Sequence, residues 1–148
     1  MDLIIQILTC VLGTIGFAVT MKVPKRTLIY IALGGLISAG IERTMSLFFN
    51  DFISCLAAMI ILSFYCEIIS RIIKSPTTVT LMPSTIPLLP GSSIYYTMFW
   101  AINGDKELMS SYASSTLLTG LGIALGAVIS TAVVKFILIL SSEHRKNK

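Results

Sequence analysis

The chain has 148 residues, 55% of them apolar and only 12% charged, with a net charge of +4. A typical soluble domain carries about 25% charged residues, so too little charge is present to cover a water-facing surface. The basic residues sit at the ends of apolar runs, where they read as topology signals touching acidic lipid and not as a nucleic-acid surface.

The first apolar span is predicted over residues 3–21. Asp2 precedes it, and Lys22, Lys25 and Arg26 follow it. A secretory signal places its positive charge before the apolar run, so a retained helix starting outside the membrane is expected instead. A basic turn with Pro24 leads into span two, predicted over 27–41, which is short at fifteen residues before Glu42. Residues 44–49 extend it or lie in the interface. Asn50 and Asp51 form a natural cap for span three, over 52–70, and Arg71 and Lys74 follow it. A fourth span is predicted over 81–103, inside an apolar region interrupted by Pro83, Pro87 and Pro90. The loop 104–107 is polar. The last span, 109–140, exceeds the roughly 20 residues of one crossing, so it is expected to tilt or to begin outside the hydrocarbon. Together these make one all-α integral membrane domain over 1–148, a polytopic helix bundle with about five transmembrane helices, the fourth broken at a Pro-rich segment.

Charge sets the expected orientation. With the N-terminus outside and five crossings, the inner ends hold Lys22, Lys25, Arg26, Arg71, Lys74, Arg145, Lys146 and Lys148, and the outer ends only Arg43 and Lys106. That bias follows the positive-inside rule and puts the C-terminus in the cytoplasm. Lys135, near the inner end of the last span, snorkels to the interface.

Small residues mark where helices meet. Gly122, Gly126 and Ser130 form one ridge, and Gly34, Gly35, Ser38 and Ala39 form another. Such ridges allow close backbone approach where water supplies no driving force, either within this chain or against a second subunit.

The chemistry-bearing types are sparse. Cys10, Cys55 and Cys66 lie in apolar runs without CxxC spacing, and the lone His144 is in the tail, so neither a metal, another cofactor nor a disulfide is expected. No span holds a histidine and no two acids share a span. The nucleophile-base, paired-acid and metal constellations of enzymes are therefore missing, and catalysis is not expected.

The informative segment is 75–103. Proline removes a backbone donor and clashes with the preceding turn, and the residue before it is pushed toward extended conformations. Three prolines in eight residues therefore predict an unwound stretch at membrane depth. Such backbone is tolerated where it is buried in protein or lines a wet cavity, and broken helices mark substrate sites in transporters. Gly91 permits an unusual backbone angle, and Ser92 or Ser93 can cap a following helix whose N-terminus offers a seat for a carboxylate. Hydroxyls of Thr77, Thr78, Thr80, Ser84 and Thr85 are expected to line the other half, with Tyr95 and Tyr96 closing it. The alternative is a structural kink whose hydroxyls satisfy their own backbone. Glu67 is the only acid well inside a predicted span, a candidate proton carrier for coupling, though Arg71 four residues on is placed for a helical ion pair.

The stretch PTTVTLMPSTIPLLPGSSIYYTM, with Ile-Pro-Leu-x-Pro-Gly followed by Tyr-Tyr, resembles the signature of the threonine/serine exporter family, specifically its smaller, C-terminal half. The similarity in plan covers nearly the whole chain, and the motif positions are Pro83, Ile86, Pro87, Leu88, Pro90, Gly91, Tyr95 and Tyr96. The resemblance implies a small separate subunit with an obligate larger membrane partner of the same family. It also implies export of a small amino acid or a small dicarboxylate such as succinate, driven by ion or potential gradients across a bacterial inner membrane. The expected substrate-binding set is Pro83, Ser84, Pro87, Pro90, Gly91, Ser92, Ser93, Tyr95 and Tyr96. A rival expectation is an accessory scaffold subunit that stabilises a larger transporter partner without binding substrate.

Overall fold

The structure is a computed structural model that describes the backbone of residues 2–146 and the side chains of residues 8–136. Among these residues the chain is entirely helical: α1 (Asp2–Thr20), α2 (Lys25–Met45), α3 (Asp51–Ile73), α4 (Thr77–Ser84), a short 3-10 turn (Ile86–Leu88), α5 (Gly91–Asn103) and α6 (Lys106–Lys146). Three helices are long and apolar enough to cross a membrane: α2, α3 and the stretch Lys106–Phe136 of α6. The stretch Leu8–Thr20 of α1 is apolar but shorter.

Two helix stops share one design. Lys22 (φ 55°) follows α1 and Lys74 (φ 56°) follows α3, both in the left-handed region. There Val23 N donates to Ala18 O (3.1 Å) and Ser75 N to Ser70 O (3.1 Å), which satisfies carbonyls left open at a helix end. Pro24 and Pro76 then stand at the N-caps of α2 and α4. Asn50 stands at the N-cap of α3, but its side chain makes no capping hydrogen bond. At the start of α6 the Asp105 carboxylate does cap, accepting from Leu108 N at 3.1 Å.

α2 runs past the predicted end at residue 41 and carries Glu42 and Arg43 in its last turns. Glu and Arg are good helix formers, so the end of an apolar run marks what lipid covers, not where helical hydrogen bonding stops. α6 likewise begins earlier and ends later than its apolar run.

The bundle is built inside out relative to a soluble protein. Its seams hold small hydroxyl residues, including Thr14, Ser38, Ser54, Ser84 and Ser130, while Leu12, Ile29, Phe48, Ile72 and Leu117 point outward. Small side chains let helices pack closely in lipid. α3 is the central helix, packed against α2, α4 and α6, with Ala58, Met59, Leu62 and Cys66 in the core. The glycine ridges are used within the chain. A Cβ on Gly122 would meet Phe52 O at 2.7 Å, and one on Gly126 would meet Met59 Cβ at 2.9 Å. Gly35 lies against Thr14 of α1, and Gly34 against Ser84 of α4.

These contacts order α6 along α3. Ser115 Oγ donates to Asp51 Oδ2 (3.2 Å), and Gly122 and Gly126 follow beside Phe52 and Met59, so the two helices run parallel. Residues 106–114 therefore rise about 14 Å beyond the start of α3, at 1.5 Å per residue. α5 packs chiefly on α6, with Tyr96 stacked on Tyr112 (5.2 Å between ring centroids), and none of its residues is buried.

Candidate functional site

The Pro-rich segment carries the chain from α4 to α5 in three steps. Pro83 lies inside α4, so the stretch expected to be unwound around the three prolines begins only after it. As the seventh of eight residues it removes one donor close to where the helix ends, so the cost stays local. The 3-10 turn follows, with Leu88 N donating to Thr85 O (2.9 Å) and Leu89 N to Ile86 O (3.2 Å). Leu89 is extended, Pro90 is the N-cap of α5 (φ −78°, ψ 58°), and α5 starts at Gly91.

The cap therefore falls on Pro90 and not on Ser92 or Ser93. Pro90 O accepts the first helical bond, from Ile94 N at 3.0 Å, which makes the two serines the second and third residues of the helix. Amides at these positions have no acceptor within their own helix. That of Gly91 is turned back on Leu89 O (2.8 Å), so the amides of Ser92 and Ser93 form the positive end of the α5 dipole.

A cavity of about 570 Å³ lies against this turn. Pro87, Leu88, Leu89, Pro90, Ser92 and Ser93 form one wall. Gly40, Glu42 and Arg43 of α2 line it as well, with Asp51 and Cys55 of α3, Cys10 of α1, and Ser115 and Thr119 of α6. Its volume is in the range of small-molecule sites. Both signs of charge are present. Asp51 is exposed and accepts from Ser115. Glu42 is half-buried and Arg43 exposed, and no hydrogen bond or ion pair engages either side chain among the described residues.

The expected site residues separate into groups. Pro87, Pro90, Ser92 and Ser93 line the cavity, and Gly91 sits between the last three with open space around its Cβ position. Pro83 and Ser84 are buried in a helix seam. There Ser84 Oγ donates to Ile31 O (3.2 Å), and Ser38 Oγ donates to Ser84 O (3.0 Å). Tyr95 and Tyr96 are exposed on α5 and stack on Phe99 and Tyr112. Glu67 lies near the far end of α3, where it accepts from Arg71 Nη2 (3.2 Å) and from Thr77 Oγ1 (2.9 Å). That arrangement ties the C-terminal end of α3 to the start of α4. The hydroxyls of Thr77, Thr78, Thr80, Ser84 and Thr85 are not part of the cavity lining; Thr85 bonds Leu81 O in its own helix (2.7 Å).

Glu42, Arg43 and Asp51 were not among the expected site residues. Their signal in the sequence was two acids and a base flanking the junction of spans two and three, which also reads as a plain helix boundary.

Residues 6–133 match the family model described as Threonine/Serine exporter, ThrE. No curated protein and no solved structure matches the chain at a significant level. The matched stretch takes in α2, α3, most of the apolar stretch of α6, the Pro-rich turn and every cavity residue; the chain is a multi-pass membrane protein with an exporter-type transport role and belongs to the threonine/serine exporter family.

Proposed function

We propose that this chain is the small subunit of a two-component secondary exporter. It moves a small carboxylate-bearing solute, a threonine- or serine-like amino acid or a succinate-like dicarboxylate, out of the cell across the inner membrane. In this reading the chain crosses five times, N-terminus outside and C-terminus in the cytoplasm. α4, the 3-10 turn and α5 together make the broken fourth crossing. The role is transport, without catalysis.

The cavity is the observation that carries this reading. It lies where the Pro-rich turn brings the first amides of α5 against charged residues of α2 and α3. The substrate carboxylate faces Ser92 and Ser93, on a turn shaped by Pro87, Pro90 and Gly91. Pro83 and Ser84 anchor the approach to that turn, and Tyr95 and Tyr96 lie on the helix that leaves it. A larger membrane partner is supported by α5, an apolar and aromatic helix with no buried residue.

The test is efflux of labelled threonine, serine and succinate from cells lacking both subunits, with each chain restored singly and then together. Export only with both supports the two-component reading. Full export with the partner alone leaves this chain a scaffold subunit and withdraws its site. Pro90→Ala combined with Gly91→Leu is expected to abolish export while leaving insertion intact, since a side chain at 91 meets open space. Normal export by that variant refutes the site.

A further inference from the structure

One acid of the cavity stands apart. Glu42 lies within α2, a helix long and apolar enough to span a membrane, and lines the cavity half-buried. No hydrogen bond or ion pair engages its carboxylate among the described residues. The two acids of α3 are occupied. Glu67 is held by Arg71 and Thr77, and Asp51 by Ser115. A half-buried carboxylate left without a protein partner beside a cavity is costly to keep charged, and a cationic group of a bound solute would offset that cost. The titratable and charged groups that face Glu42 are Cys10 from α1, Arg43 from its own helix, and Asp51 and Cys55 from α3. The Pro-rich turn, α5 and α6 bring only apolar residues and serine or threonine hydroxyls to this lining.

We propose that Glu42 is a shared seat, occupied alternately by the ammonium group of a zwitterionic amino acid and by a proton. This rests on the function proposed above and selects the amino acid over the dicarboxylate as its substrate. With Glu42 ionised, the cavity offers a carboxylate to the ammonium group. The Ser92 and Ser93 amides and Arg43 supply the opposite pole for the substrate carboxylate. When a proton binds Glu42, the carboxylate becomes a neutral carboxyl and the ammonium group leaves with its own charge unchanged, so one positive charge replaces another. Competition of this kind is what an exporter driven by inward proton flow needs: the proton that enters displaces the amino acid that exits. A dicarboxylate has no group to compete for that seat.

The experiment measures threonine binding to the full chain, purified with its larger partner, between pH 5 and 8. Proton release is followed in parallel with a pH-indicator dye in weak buffer. Threonine affinity is expected to weaken toward a limit of about tenfold per pH unit as Glu42 protonates, the linkage slope for one proton. On the acid side each bound threonine releases up to one proton. Glu42→Gln should bind threonine more weakly and without pH dependence. Glu42→Asp should keep the dependence at a shifted pH. Wild-type threonine binding that is flat across this range, or a pH dependence that survives in Glu42→Gln, overturns the shared seat alone. The proton-release arm uses wild-type protein, so it decides even where Glu42→Gln does not fold. Absence of threonine binding to the wild-type complex at every pH overturns this inference together with the function beneath it.

Discussion

Gly122→Ala is expected to destabilise the bundle even though alanine is the better helix former. A Cβ at this position stands 2.7 Å from the Phe52 carbonyl oxygen and 3.4 Å from Leu56 N. The first of these is about 0.7 Å short of ordinary contact. The obstacle is backbone, so no side-chain rotation relieves it, and α6 must shift away from α3. Overpacking of this kind costs about 1–3 kcal/mol. Gly120 supplies the control, because it lies on the same helix with nothing within 4 Å of its Cβ position. Gly120→Ala carries only the propensity gain of up to about 1 kcal/mol, which Gly122→Ala shares. The difference between the two variants therefore isolates the steric cost, about 1–3 kcal/mol. Each kilocalorie shifts the folded-to-unfolded ratio about fivefold. Both variants would be unfolded from mild detergent by added dodecyl sulfate and followed by far-ultraviolet circular dichroism. Equal midpoints, or a more stable Gly122→Ala, would refute the close α3–α6 crossing.

Two further outcomes separate packing from binding. Ser84→Ala removes the donor to Ile31 O and should cost about 1 kcal/mol in the same unfolding assay, leaving the relative export of threonine, serine and succinate unchanged. A changed preference would place Ser84 in the pathway instead of the seam. Cys10 lines the cavity while Cys66 is fully buried. With Cys55 and Cys66 replaced by alanine, a small methanethiosulfonate reagent should therefore label Cys10. Threonine at ten times its Kd should slow that labelling about tenfold through site occupancy. Equal rates with and without threonine would take the cavity out of the transport path.

Much of the fold was legible in the primary structure because a bilayer leaves few options. Long uncharged runs in the 148-residue chain have to become helices, since only helices satisfy every backbone group within one segment. The stretch marked by the Pro-Gly signature also forms part of the cavity wall, at Pro87, Pro90, Ser92 and Ser93. The opposite wall was not legible. Glu42, Arg43 and Asp51 look like boundary charges in a linear reading, and only the return of the chain through the 3-10 turn sets them across from α5. Ser84 and Glu67 show the converse. Each has the chemistry of a site residue, and each is engaged in holding one helix to the next.

The sequence by itself determined the solvent, the helical class and the family, because hydropathy, charge placement and a short motif survive without knowledge of any long-range contact. Only the tertiary structure decided which glycine ridge meets which helix, which hydroxyls are consumed by packing, and which cavity carboxylate is left without a partner among the described residues. Those outcomes depend on the register of α6 along α3 and on the path between α4 and α5. Register is set by close steric fit between residues far apart in the chain, such as Gly122 and Phe52, and a distance of that kind leaves no local trace in the sequence.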